Sequence, residues 1–151
     1  MIRLPPTKPR LVLRALARPF PGGFRNWVHV KSATVTSAHP AYATEGGLHH
    51  IYANSKAAEG YASGKFPDGS VIAYELLETQ EKNGVISEGP RRRLDLMVKD
   101  ASRYPSTGGW GFARFRSDGE RDAAVQETAG KQCLDCHNRA SEHGSVFSRM
   151  R

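Results

Sequence analysis

The sequence predicts an α+β domain, mainly an antiparallel β-sheet with a few helices and a helical C-terminal segment. Three observations point there. Runs rich in β-branched and aromatic residues are short, Gly/Pro/Asn/Asp turn signals separate them, and helical periodicity is confined to brief stretches. Nine prolines and fifteen glycines favour a loop-rich fold over a helical bundle. A length of 151 residues suits one domain with one core.

Residues 1–24 read as irregular, broken by Pro5, Pro6, Pro9, Pro19 and Pro21. Residues 26–35 and 48–53 read as strands, the second following Gly46-Gly47. Asn54 is a suitable N-cap for a helix over Ser55–Ser63, where Ala57, Ala58, Tyr61 and Ala62 recur at helical spacing and Gly64 can end it. Phe66-Pro67-Asp68-Gly69 signals a turn. Residues 70–78 then read as a strand with Ile72, Tyr74 and Leu76 on one face. Asn83-Gly84 is a second turn. Residues 93–100 and 110–115 are two more strands, 120–128 a helix, and 133–143 the C-terminal helix.

The net charge of +7 is unevenly placed. Arg3, Lys8, Arg10, Arg14 and Arg18 lie in the first twenty residues, where there is no acid. Removing these five from the 22 basic residues leaves 17 against 15 acidic ones, so the body is nearly neutral. A nucleic-acid groove shows its basic excess on the folded domain, which argues against nucleic acid as a partner. Arg91-Arg92-Arg93 reads as a solvated turn or strand edge. No run approaches the ~20 apolar residues of a membrane span. Leu11-Val12-Leu13, closed by Arg14, is too short for an ordinary signal-peptide core.

Both cysteines fall in Cys133-Leu134-Asp135-Cys136-His137. A disulfide across two residues would be strained and would close a trivial loop. A redox pair needs a βαβ context that the preceding residues lack. Zinc needs two further ligands, His143 and another histidine, without the usual second pair at fixed spacing. Haem attachment uses all three residues. The thiols add to the two vinyl groups, and the following imidazole reaches the iron. Haem leads and zinc follows.

Several further runs narrow this reading. They are Leu48-His49-His50-Ile51-Tyr52-Ala53-Asn54, Gly64-Lys65-Phe66-Pro67-Asp68-Gly69-Ser70-Val71, Met97-Val98-Lys99-Asp100, Thr107-Gly108-Gly109-Trp110-Gly111-Phe112, and Val146-Phe147-Ser148. In this order, from about residue 20 to the C-terminus, they closely resemble the cytochrome P-460 family. Their prolines and basic residues make residues 1–20 an irregular basic leader, and the resemblance makes 21–151 the haem domain. It implies one covalent haem c on Cys133 and Cys136, with His137 as axial ligand to a typically five-coordinate iron. It also implies a periplasmic location, often a homodimer, a redox partner protein and a small gaseous or nitrogenous ligand. Covalent haem attachment takes place outside the bacterial cytoplasm, so the motif points to the periplasm although no export signal is legible.

The family's enzymes oxidise hydroxylamine and carry an extra lysine cross-link to the porphyrin. Relatives without it, cytochromes c′-beta, bind nitric oxide and other small gases. Aligned on the Phe-Pro-Asp-Gly turn, Tyr74 stands where the cross-linking lysine is expected, and Lys65 lies on the wrong side of the turn. The resemblance therefore implies ligand binding before hydroxylamine oxidation. It sets Tyr74 in the distal pocket, where its ring caps the open face and its hydroxyl can meet a diatomic. Ordinary strand packing is the competing reading for Tyr74, and core packing is expected for Phe66, Trp110 and Phe112. Of His49 and His50 at most one faces inward. Met97 and Met150 are candidate sixth ligands in the alternative of a six-coordinate electron carrier.

Overall fold

Asn83 and Gly84 both take left-handed backbone, with φ of 53° and 77°. That pair closes a two-residue hairpin of the type whose twist matches its strands. The hairpin is the centre of a five-stranded antiparallel sheet in a computed structural model that describes residues 22–120, 133 and 135–150. The strands are β1 (Val28–Val35), β2 (Gly47–Ala53), β3 (Val71–Lys82), β4 (Val85–Lys99) and β5 (Trp110–Arg116), in sheet order β1-β2-β3-β4-β5. Two α-helices interrupt the meander, α1 (Tyr42–Glu45) and α2 (Ser55–Ser63). Short 3-10 turns lie at Phe24–Asn26, Pro105–Thr107 and Asn138–His143. The expected mainly antiparallel α+β architecture is present.

Both faces of the sheet are covered. One carries Val71, Ala73, Leu94, Leu96, Val98, Ala113 and Phe115, closed by Phe24 and flanked by Trp27, Tyr52 and Tyr104. The other carries Val30, Ala53, Ile72, Met97 and Trp110, against Ala57 of α2 and Val146 of the C-terminal segment. Each fully buried large side chain contributes roughly 1.5–3 kcal/mol.

Asn54 fixes where α2 sits. Its Oδ1 accepts from Ala57 N at 2.9 Å as the N-cap and from Val71 N at 3.0 Å, and its Nδ2 donates to Gly69 O at 2.9 Å. One side chain thus joins the helix start to the Pro67–Gly69 turn and the first residue of β3. Gly64 ends α2 at φ 76°.

Three expectations need correction. β4 begins at Val85, not at residue 93, and β3 runs on to Lys82. The pairing slips around Leu77 and Thr79, opposite Gly89 and Pro90. A proline cannot donate to the ladder, and an irregularity lets the strand continue past it. Nor is the arginine run a solvated edge. Arg91 donates to Glu75 at 2.7 Å, Arg92 to the carbonyl of Gly46, and Arg93 to both oxygens of Glu45 at 2.6 Å. Finally, α1 was not expected. The helix expected over 120–128 lies outside the described residues except for Glu120, which is not helical. Residues 1–20 also lie outside them. Among the described residues no helix is long and apolar enough to cross a membrane.

Candidate cofactor site

Strand alternation builds the site. Ile51, Tyr74, Asp95 and Arg114 are successive partners across β2, β3, β4 and β5, and Ile72, Met97 and Phe112 form the next row. These residues share one face of the sheet, and all line a cavity of about 630 Å³. Cys133, Cys136, His137, Val146 and Phe147 line it from the C-terminal segment. The volume is that of a small-molecule or cofactor site, with apolar walls and a few polar groups.

The C-terminal segment is helical at Cys133 and over 135–137, then continues as the 3-10 turn. Gly144 and Ser145, both left-handed (φ 66° and 63°), turn the chain back so that Val146 is buried. Three side chains dock this return. Trp110 Nε1 donates to Gly144 O at 2.9 Å, His137 Nδ1 lies 2.8 Å from Ser145 O, and Tyr61 Oη lies 2.5 Å from Ser148 Oγ.

The His137 contact settles a chemical question. A carbonyl oxygen only accepts, so Nδ1 carries the proton and Nε2 of the neutral ring keeps its lone pair. Burial pushes the His137 pKa down, which also favours the neutral ring. The imidazole stands between Phe112 and Phe147, with ring centroids 5.2 and 5.0 Å away. A histidine oriented by a hydrogen bond on one nitrogen is the usual form of a metal-ligating histidine. Cys133 and Cys136 are both free thiols, and burial raises the pKa of Cys133.

Part of the cavity lining is polar. Tyr74 Oη donates to Glu45 Oε2 at 2.9 Å, the same carboxylate is held by Arg93, and Arg93 also reaches Asp95 at 3.0 Å. Asp95 in turn accepts from Arg114 Nε at 2.6 Å. Burial, then the Glu45 carboxylate, push the Tyr74 pKa well above its ordinary value. His49 stacks on Tyr74 with centroids 4.9 Å apart, and its Nδ1 is buried without a hydrogen-bond partner among the described residues.

The Cytochrome P460 family model matches residues 21–148. The chain belongs to the Cytochrome P460 family. No curated protein matches it significantly. Membership makes this chain a haem protein. The residues present fit the cofactor of a P460 protein. Two thiols, an imidazole with a free Nε2 and apolar walls converge on one cavity.

The other sequence candidates fall into place around this cavity. Met97 lines it, while Met150 is exposed at the surface. Phe112 lines it too, whereas Phe66 packs edge-on against Trp110 and Tyr61 beyond it. His49 faces inward, and His50 points to the opposite face, bonded to Ser32 at 2.6 Å and Glu88 at 2.7 Å. His143 is exposed and contacts Arg149, and among the described residues no three His, Cys, Asp or Glu side chains form a metal-holding group. Glu45 and Lys31 also line the cavity and were not singled out from sequence. Glu45 arrives on α1, a helix without an N-cap hydrogen bond. Lys31 pairs with Ile51 beyond a β-bulge that alternation alone does not reveal.

Proposed function

We propose that this P460 protein carries one haem c, bound covalently through Cys133 and Cys136 with His137 as axial ligand, and that its iron is five-coordinate and binds nitric oxide or a related small nitrogen ligand. The observation that carries this reading is the His137–Ser145 contact, which leaves Nε2 as the free electron pair of a ring lining the same cavity as both cysteines. Bound haem supplies the redox-active, ligand-accepting iron; the chain supplies orientation, apolar walls and exclusion of water. Phe112 and Phe147 hold the imidazole plane, and the Ser145 carbonyl raises the basicity of Nε2. Tyr74 at the position expected for the cross-linking lysine supports ligand binding over efficient hydroxylamine oxidation.

A second reading rests on Met97, which lines the cavity and pairs across the sheet with Phe112, itself in contact with His137. A thioether on the iron would give a six-coordinate electron-transfer cytochrome. Attachment of haem to Cys133 and Cys136 belongs to the periplasm, which is the location we propose. A redox partner protein and a homodimer are parts of the same reading.

The test is the visible spectrum of protein expressed with an export signal, ferric and ferrous, before and after nitric oxide, with a pyridine haemochrome on the same sample. A covalent haem with a high-spin ferrous band that shifts on gas addition is expected. A low-spin spectrum indifferent to gas makes the protein an electron carrier instead. Haem that extracts from the wild type as readily as from a Cys133→Ser/Cys136→Ser double variant refutes the covalent attachment. Covalent haem in protein kept in the cytoplasm overturns the location.

A further inference from the structure

We propose that His29 and His50 form a binding site for a divalent transition-metal ion of the zinc or copper class, on the sheet face away from the cavity. None of its residues lines the cavity, so the site stands or falls apart from the haem reading.

The β-bulge in β1 assembles it. Residues three apart in a regular strand face opposite sides of the sheet. Here the register shifts between His29 and Lys31, so that His29 pairs with Tyr52 and Ser32 with His50. His50 and Tyr52 are two apart on β2 and share a face, which brings His29, Ser32 and His50 together. Val30, within the bulge, is buried in the core on the cavity side.

The two imidazoles converge on one point. His29 Nε2 lies 2.7 Å from Ser32 Oγ, and His50 Nδ1 lies 2.6 Å from the same oxygen. An imidazole nitrogen binds zinc at about 2.0–2.1 Å, which sets the ring centre roughly 3 Å from the ion. Two rings on one ion therefore have centres up to about 6 Å apart. The His29 and His50 centroids are 6.1 Å apart.

His50 is prepared as a ligand. Its Nε2 lies 2.7 Å from Glu88 Oε1. A carboxylate only accepts, so Nε2 carries the proton and Nδ1 of the neutral ring turns its lone pair to Ser32. A carboxylate behind the far nitrogen is what orients a metal-binding histidine and raises its basicity. Arg25 is close enough to feel the Glu88 charge but binds Glu75 through two nitrogens, which leaves Glu88 to His50. The Ser32 hydroxyl donates to His50 and accepts from His29. An entering ion displaces that hydroxyl, and the His29 ring proton moves through water to Nδ1.

His29, Ser32 and Glu88 are exposed, so an ion reaches the nitrogens without unfolding. Imidazole selects zinc, copper or nickel over magnesium and calcium. Water completes the coordination, and with two protein ligands the ion is exchangeable.

The experiment titrates zinc(II) and copper(II), with magnesium(II) as control, into exported holoprotein stripped by a chelator and treated with N-ethylmaleimide to block free thiols. Calorimetry gives stoichiometry and affinity, and Tm is recorded with and without zinc. One zinc per chain and a Tm raised by zinc are expected, and magnesium gives neither. Glu88→Gln should bind zinc about tenfold more weakly, the low end for losing the partner behind a ligand. His29→Ala and His50→Ala should each lose more than that. Ser32→Ala, which opens the space between the rings, should bind at least as tightly as wild type. All four side chains are on the surface, and a metal-free Tm close to wild type shows that each variant is folded. Absence of zinc binding in the wild type overturns the proposal, as does wild-type affinity in both histidine variants. Binding that N-ethylmaleimide abolishes also overturns it, by moving the ion to the cysteines.

Discussion

The hydroxyl of Tyr74 donates to the carboxylate of Glu45 at 2.9 Å, and Arg93 grips that carboxylate from the other side through both oxygens. The strand residue expected to offer a hydroxyl to a bound ligand has thus committed it to a helix that the sequence did not announce. Tyr74→Phe should lower stability by about 1 kcal/mol, the usual worth of a hydrogen bond, and leave the aromatic wall in place. The infrared C–O stretch of the ferrous carbon monoxide form and nitric oxide release should stay at wild-type values. A clear change in either would mean that the hydroxyl leaves Glu45 for the ligand.

Ser145 holds His137 through its backbone carbonyl while sitting at φ 63°, where a side chain is strained. Ser145→Gly should fold at least as well, because glycine adopts this backbone freely. Ser145→Val should cost about 1–2 kcal/mol, since a β-branched residue resists left-handed geometry. The informative readout is the ferrous spectrum: displacing the carbonyl frees Nδ1 and should broaden or shift the haem bands. An unaltered spectrum in Ser145→Val would show that Phe112 and Phe147 alone orient the imidazole.

The contrast between these residues shows what the sequence could reveal. Cys133, Cys136 and His137 lie within five residues of one another, so their candidacy as a group is visible without a fold, and the structure adds that all three line one cavity. Asn54, Gly64 and Asn83-Gly84 act on their own neighbours, and their roles as N-cap, helix stop and hairpin turn were legible. Met97 and Phe112 became cavity neighbours only through strand register. Glu45 is further from view, because it comes from a four-residue helix with no N-cap hydrogen bond and meets Tyr74 across 29 positions. The strand over 85–92 is hidden by Pro90 and the arginine run 91–93 that follows it, residues that signal a solvated loop until Glu75, Gly46 and Glu45 are seen to receive the arginines.

Glu75 is the strongest case of such a hidden partner. Its side chain is fully buried, with Arg25 Nη2 at 2.8 Å and Arg91 Nε at 2.7 Å on the same oxygen and Arg25 Nε at 3.0 Å on the other. Removing one member of a buried ion pair strands the others. Glu75→Ala should therefore lose about 3 kcal/mol, at the low end of the usual range because both arginines reach solvent in part. Thermal unfolding should show a Tm lower by roughly 10 °C. Spectra of the folded holoprotein should be unchanged, since this network lies on the sheet face away from the cavity. A loss under 1 kcal/mol would mean that water replaces the missing carboxylate.

The buried His49 should also leave a mark on stability as the pH changes. Burial holds its folded-state pKa below the ordinary histidine value of about 6.5, which the unfolded chain retains. Between those two values the unfolded state binds the extra proton, so stability rises with pH there. The contribution is fully present above about pH 6.5 and is lost as pH falls through the folded-state value. His49→Leu removes this group and leaves every other titration in place. The Tm of wild type minus that of His49→Leu should be constant between pH 7.5 and 9 and should decline steadily below pH 6.5. A difference that stays flat to pH 5 would place the imidazole in contact with water, with an unshifted pKa.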